Sequence, residues 1–405
     1  MNSRFALAWR NLRRNPRRTQ IALVAIAFGV AAFAVAGGFI EWILVNFREH
    51  TIHSFLGHVQ ISRPANGEVP KSPFAMLLPD QPGLDAEIRR IAHVVAIAPR
   101  LDFQGLISNG ESSLSFLGTG VDPDREIELS RNLNIIEGSG LVAADEKGAI
   151  LGEGLAQSLG ARLGDRLVLL ANTAHGGVNA VEITVRGLFT SVTKAYDDSA
   201  LRVPVALARQ LLRVQGAHAW VIVLDRTDAT DPSVAALRAR LPARDYEVRP
   251  WYVMADFYNK TATLYQRQLY VVRAIIAVII LFSISNTMAM SILERTSEIG
   301  TALALGTPRR RLLGNFMAEA LMLGLIGGAL GVILGGLIAI VASFVGIPMP
   351  PSPGMRHGFE AGIMVTWPLA LEALALGVAP ALVATFYPAW KATRLPVVDA
   401  LRYNR

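Results

Sequence analysis

Cysteine is absent from all 405 residues, which excludes disulfide frameworks, thiolate metal centres and cysteine nucleophiles and leaves the redox compartment open. Charge is scarce: 18% of residues are Asp, Glu, Lys or Arg, against roughly a quarter in ordinary soluble domains. That excludes a disordered chain or a nucleic-acid coat. No G-x-x-x-x-G-K-[ST] segment occurs, and the nearest basic glycine stretch, Gly306 to Arg311, lacks the phosphate cradle. No nucleotide site is therefore expected here. What the chain does have is hydrophobicity, 52% of residues with a mean hydropathy of +0.38. Its length allows two or three units at about 100 to 200 residues each.

The hydrophobicity is blocked. Residues 21–45 are apolar except for Glu41, and three further runs follow at 267–291, 316–346 and 365–390. Each reaches the roughly 20 residues that cross about 30 Å of hydrocarbon. The basic stretch ahead of the first run and Ala34-Val35-Ala36 imitate a secretory leader. Apolar residues continue to Val45, however, past the roughly 7 to 15 of such a leader, so a retained membrane helix is expected.

Four spans place both termini on one side, and charge chooses the side. Segments 1–20, 292–315 and 391–405 carry 14 cations, including Arg13, Arg14, Arg17, Arg18, Arg295 and Arg309 to Arg311, against Glu294, Glu298 and Asp399. They are expected to be cytoplasmic. Residues 46–266 hold 22 basic and 25 acidic residues and are expected outside, as is the loop 347–364. The pI near 9.9 is then a topology signal, and no nucleic-acid partner is expected.

The 46–266 insertion alternates strand-like and helix-like runs. Strands are expected at 58–62, 94–99, 113–121, 165–171, 181–189 and 219–225 from β-branched or alternating patterns between turn residues. Helices are expected at 83–92, 152–160, 207–212 and 231–241, the last capped by Asp231 with Pro232 inside it. The fold class is a membrane protein of four transmembrane α-helices with a large α+β extracytoplasmic domain, of two subdomains, between helices 1 and 2.

Between the second and third spans, Glu298 to Leu305 is helix-compatible and stopped by Gly306 and Pro308. It offers small residues, Ala302, Ala304 and Gly306, flanked by charge. Such a helix could dock into a partner and transmit force, or be an ordinary solvated connector.

The stretch from Glu294 to Gly331 resembles the permease signature of MacB, LolC/LolE and FtsX type ABC transporters: E-R-x-x-E-I-G, then A-L-G, a basic run, a glutamate and a Gly-rich helix. Glu294, Arg295, Glu298, Ile299, Gly300, Ala304, Leu305, Gly306, Arg309 and Glu319 occupy those positions. The ending, with Pro388, Ala389, Ala392, Pro396, Ala400, Leu401 and Arg402, resembles the family's close, and Ile150 to Ala171 is similar to its periplasmic segment. The resemblance implies a permease in a bacterial inner membrane, with Glu294 to Gly306 coupling it to a separate ABC ATPase present in two copies. ATP and Mg would bind that ATPase, and this chain would hold no cofactor. A second permease copy or paralogue, membrane lipid, and a periplasmic carrier or lipoprotein are the other partners implied.

Within the spans, Gly324, Gly328, Gly331 and Gly335 are read as one helical face, and Gly327, Gly331 and Gly335 as overlapping G-x-x-x-G steps. They suit tight packing within the chain or a moving or dimer interface. Glu41 and Arg273 either pair near the outer end of the first two spans, or Arg273 snorkels. Ser283, Ser285, Asn286 and Thr287 are read as interhelical hydrogen-bonding groups. By analogy with lipoprotein-releasing relatives, Phe28, Phe33, Phe39, Ile40, Trp42, Tyr270 and Ile276 face substrate lipid, or plain bilayer. His50, His53 and His58 lack the companion ligands of a metal centre. The segment 171–180 is where a carrier-binding hook would sit, though it matches none. The expected function is ATP-driven extraction or export of a lipoprotein or other amphiphile. An FtsX-like signalling subunit and an efflux permease for small amphiphiles or peptides are the alternatives.

Overall fold

The computed structural model describes residues 9–11, 13–14, 16–64, 73–131, 133–191, 194–350 and 358–394. Four helices are long and apolar enough to cross a membrane. The first spans Pro16–Thr51, the second Asp256–Glu294, the third Arg309–Val345 and the fourth Trp367–Thr393. They outrun the apolar blocks because apolarity selects the bilayer and not helicity. Polar residues such as Lys260, Gln266 and Arg267 continue the backbone ladder of the second helix.

The chain divides into a unit built on the membrane helices and a unit formed by the insertion, Val45–Lys260. The larger apolar centre of the membrane unit is where Ile26, Val30 and Phe33 of the first helix meet Ile276, Ile280 and Ile284 of the second. Leu323 of the third and Leu369, Ala373 and Leu376 of the fourth complete it. The nine-residue helix Thr296–Ala304, here the linking helix, joins the second to the third.

The inserted unit is a ten-stranded mixed sheet. Its strands are β1 (Val59–Ser62), β2 (Val94–Ser108), β3 (Ser113–Val121), β4 (Asn134–Gly138), β5 (Gly148–Gly152), β6 (Arg166–Asn172), β7 (Val178–Thr190), β8 (Ala200–Pro204), β9 (Ala219–Leu224) and β10 (Glu247–Pro250). The order is β10-β1-β9-β2-β3-β8-β5-β7-β4, with β6 bridging β2 and β7. Pairing is antiparallel except for β3 with β8 and β5 with β7. Among the described residues its longer helices are α1 (Pro82–Ile88), α2 (Pro123–Leu129), α3 (Glu153–Leu159), α4 (Val205–Leu212) and α5 (Thr230–Arg240).

The two expected subdomains are two apolar cores on one continuous sheet. Ile61, Ile97, Ile222 and Leu237 centre the first; Leu101, Phe116, Leu151, Ile183 and Leu211 centre the second. The 15-residue strand β2 contributes to both, because its bulge between Val94 and Ala96 and its length carry it from β9 to β6.

The expected strands and helices are present, with shifted ends. The sequence reading missed β4, β5, β8, β10 and α2. Strands of four or five residues are too short to show an alternation. Helix α2 carries a legible start, since Asp122 accepts from the N–H groups of Asp124 and Arg125 and Pro123 opens the first turn. The cap expected at Asp231 is not formed: α5 begins at Thr230 behind a 3-10 turn. Asp231 instead accepts the Tyr252 hydroxyl at 2.8 Å.

Candidate functional site

The linking helix is built with an inner and an outer face. Thr296, Ile299 and Gly300 are buried, and Ile299 packs with Ile292, Phe316, Ala389 and Ala392. Ala389 and Ala392, from the described part of the C-terminal motif, thus hold the helix from below; Pro396, Ala400, Leu401 and Arg402 lie outside the described residues. Glu298, Thr301, Ala304 and Leu305 face outward, Leu305 at 82% exposure. Gly306 ends the helix at φ +87°, a conformation that costs other residues dearly, while Gly306 and Thr307 donate to Leu303 and Ala302. So the expected coupling set divides: Ala304, Leu305 and Gly306 are on the surface, Ala302 is half-buried, and Ile299 and Gly300 are buried within the chain.

Basic residues read as a topology signal also fasten this helix and the end of the second. Arg14 meets Glu298 at 2.7 Å and Arg18 meets Glu294 at 2.6 Å. Arg295 bridges Glu298 at 3.5 Å and the buried Glu319 at 3.1 Å, and its guanidinium lies 5.6 Å from the Phe316 ring centre. Asn11 donates to the same Glu319 carboxylate. Exposed pairs such as Arg14–Glu298 contribute little each. The Arg295–Glu319 pair is shielded and fixes the junction.

The glycines of the third helix meet two different neighbours. A Cβ on Gly327, Gly331 or Gly335 would meet Ile26, Val30 or Ala34 of the first helix within 2.9 Å. On Gly324 or Gly328 it would meet Val378 or Leu374 of the fourth. The G-x-x-x-G steps therefore serve the first helix, and the Gly324/Gly328 pair the fourth, as neighbours inside the chain. Gly37 and Gly38, which the sequence reading passed over, make a third close approach, to Leu369 and Ile363.

At the other end of the membrane unit, a cleft of about 310 Å³ is lined by Ile40, Glu41, Tyr270, Arg273 and Glu372, among others. Arg273 pairs with Glu372 of the fourth helix and not with Glu41, which corrects the expected partner. Its guanidinium also lies 5.3 Å from the Phe33 ring centre. Glu372 was legible as a lone carboxylate inside an apolar run, by the rule that drew notice to Arg273. Of the residues expected to face lipid, Phe28 (71%) and Tyr270 (65%) are exposed, and Phe39, Ile40 and Trp42 are half-buried. Phe33 and Ile276 are buried in the helix core, which removes them from that set. Thr287 donates to Ser283 of its own helix, not across helices.

In the inserted unit, two buried arginines grip the chain that follows the first helix. Residues Ile52–Leu56 form a π-helical turn, a geometry that leaves the ordinary carbonyl ladder. Arg100 of β2 donates to the Phe55 carbonyl, and Arg202 of β8 donates to the Ser54 carbonyl at 2.6 Å. Glu126 of α2 lies between them and accepts from both guanidinium groups. All three side chains are more than nine-tenths buried. They are far apart in sequence, and only Arg202, alone among apolar neighbours in Ala200–Pro204, carried any signal.

His58 is buried and held neutral. Its Nδ1 accepts the Leu224 N–H at 3.1 Å, which puts the proton on Nε2, 3.2 Å from the Thr227 hydroxyl. That hydroxyl donates to Glu49 at 3.1 Å. Burial, with the nearby His53 adding, lowers the His58 pKa from 6.5 to about 4. As pH falls from 6.5 towards 4, the unfolded chain takes up a proton that the fold refuses, so up to about 3 kcal/mol of stability is lost across that window. The melting temperature of the detergent-solubilised chain should fall between pH 7 and 5, and His58→Gln should flatten that slope. An unchanged slope would refute the assignment. Among the described residues no His, Asp and Glu cluster is placed to hold a metal. The expected hook segment is a tight hairpin turn, pinned where Ala174 N–H meets the Leu212 carbonyl and Asn179 meets that of Leu211.

Four membrane helices, a mixed-sheet domain inserted after the first, and a fastened helix between the second and third define a permease with a large appended domain. The chain belongs to the MacB-like and FtsX-like family of ABC permeases: residues 19–240 match the MacB-like periplasmic core domain and 270–397 the FtsX-like permease C-terminal domain. It is 22% identical to the lipoprotein-releasing system transmembrane protein LolE of Haemophilus influenzae, over 99% of both chains. It is 33% identical over 166 residues to the macrolide export ATP-binding/permease protein MacB of Syntrophobacter fumaroxidans, covering 40% of this chain and 21% of that protein. It is 24% identical to the pyoverdine export ATP-binding/permease protein PvdT of Pseudomonas entomophila, covering 97% of this chain and 58% of that one. The chain thus spans a fifth to just over half of these two ATP-binding relatives and nearly all of the LolE relative.

Proposed function

We propose that this chain is the permease subunit of an inner-membrane ABC transporter that takes its energy from a separate ATPase. Two ATPase copies dock on the linking helices of a permease dimer, formed with a second copy or a paralogue, and their closure moves the extracytoplasmic domains. The observation that carries this reading is the linking helix itself: an outward Leu305 beside Gly306, on a helix whose inner face is fixed by Ile299 and whose rim is fixed by Arg295 and Glu319. A helix held that way passes an applied force to the membrane helices without yielding. The excess of cations on segments 1–20, 292–315 and 391–405 supports placing this side in the cytoplasm.

The cargo is a lipoprotein or other membrane amphiphile drawn through the cleft at Glu41, Tyr270, Arg273 and Glu372. The match to LolE along the whole chain supports it, as does an ion pair set beside exposed apolar surface. Export of a small amphiphile is the second reading, favoured by the PvdT match over 97% of the chain.

Leu305→Asp and Ala304→Glu, both on the exposed face, should each cut copurification of the ATPase about tenfold while leaving the thermal melt of the permease unchanged. Undiminished ATPase recovery and stimulation in both variants would sink the docking assignment. A lipoprotein captured with the wild-type complex would select the first cargo, a small amphiphile the second, and a cell-wall hydrolase activator neither.

A further inference from the structure

A recess of the inserted unit, about 840 Å³, has no part in the function proposed above. Its walls come from different elements and each carries both signs of charge: Glu49 and Glu128 lie beside the arginines of one, and Arg226, paired with Asp228 at 3.3 Å, lies among the carboxylates of the other. Arg48, on the last turns of the first helix, and Arg131, just after α2, supply guanidinium groups. Asp225, Asp228 and Asp231, between β9 and the start of α5, supply carboxylates. Over the whole lining there are five carboxylates and three guanidinium groups, so the recess favours a ligand carrying a cation as well as an anion.

The recess is built, not incidental. Glu49 is fixed by Arg48 at 3.0 Å and by the Thr227 hydroxyl, itself ordered by the buried His58. Tyr252 is tied to Asp231 on the opposite rim. The first helix sets the depth: its apolar run ends at Val45 and Arg48 follows three residues later, about 4.5 Å along a helix axis. That distance falls in the interfacial layer, about 5 to 7 Å thick on each side of the hydrocarbon. Trp251 and Tyr252, also in the lining, are side chains that suit that layer.

We propose that this recess binds the zwitterionic head of a membrane lipid, a phosphodiester bearing a primary ammonium group. The phosphate lies towards Arg48 and Arg131, and the ammonium towards the carboxylates at 225–231. Asp225, Asp228 and Asp231 already meet His93, Arg226 and Tyr252, but carboxylates outnumber guanidinium groups in the lining; a phosphodiester without the amine brings no cation to offset that excess, and a trimethylated amine cannot donate hydrogen bonds to it.

The test uses the delipidated full chain in detergent, with native mass spectrometry and thermal shift as readouts. The probes are dihexanoyl phosphatidylethanolamine, the matching phosphatidylglycerol and phosphatidylcholine, and soluble O-phosphoethanolamine. Phosphatidylethanolamine should bind about tenfold more tightly than the other two lipids. Asp228→Asn should remove that preference, and Arg131→Gln should weaken both phosphatidylethanolamine and phosphatidylglycerol. Both positions are exposed, so the unliganded melt should not move. Equal binding of the three lipids, or unaltered binding in both variants, would overturn the proposal. O-phosphoethanolamine binding as tightly as the lipid would overturn the lipid source and leave a free phosphoester site. None of these outcomes depends on an ATPase, so they stand or fall apart from the proposed transport function.

Discussion

Gly331→Leu will abolish the folded membrane unit, while Gly336→Leu on the same helix will be tolerated. At Gly331 a Cβ would sit 2.6 Å from the Val30 Cβ and 2.7 Å from the Ala27 carbonyl oxygen, both on the first helix. Neither can withdraw, because Val30 is fully buried in the helix core and the carbonyl belongs to the helix backbone. Leucine adds three more carbons and forces the two helices apart along their whole contact. Overpacking of this kind costs about 3 kcal/mol, and the close approach of backbones that G-x-x-x-G steps permit is lost with it. At Gly336 no heavy atom lies within 4 Å. The yield of monodisperse protein in detergent and its melting temperature should drop sharply for the first variant and stay near wild type for the second. Equal behaviour of the two would show that the third helix does not pack through Gly331.

The second large effect is expected at Glu126. Glu126→Ala leaves the guanidinium groups of Arg100 and Arg202 buried without their carboxylate, and breaking a buried pair in this way costs about 3 to 5 kcal/mol. Replacing all three together, Arg100→Met with Glu126→Leu and Arg202→Met, should recover most of that loss, since no buried charge remains. The Ser54 and Phe55 carbonyls then lose their donors, so recovery should stop about 1 to 2 kcal/mol short of wild type. Denaturant titration of the full chain reads all of these. Glu128→Ala, two residues away and exposed, is the control. If it proves as damaging as Glu126→Ala, the clamp on the turn after the first helix is not what holds this region.

The residues that sequence reading placed well are those whose role depends on local pattern. Gly306 and Pro308 end the linking helix wherever the rest of the chain goes, because a left-handed residue and a ring without N–H act within one turn. The residues it misplaced depend on which neighbour arrives. Phe33 and Ile276 are apolar like their exposed companions Phe28 and Tyr270, and only the contact of the first two helices buries them. Arg273 needed a carboxylate at its own depth; Glu372 supplies it at 99 residues' remove, and Glu41, though close by in the cleft, does not.

By itself the sequence determined that this protein crosses a membrane four times, where its large insertion falls, and that a short helix with a glycine stop joins the second and third spans. Hydrophobic blocks, charge asymmetry and stop residues act through solvent and local backbone, so a single chain read in order contains them. Tertiary structure alone decided which glycine meets which helix, that Arg14 fastens the linking helix and Arg18 the end of the second, and that Arg100 and Arg202, joined by Glu126, converge on two carbonyls. Those are pairings between distant residues, selected by geometry and by the cost of leaving a charge or a backbone group buried without a partner.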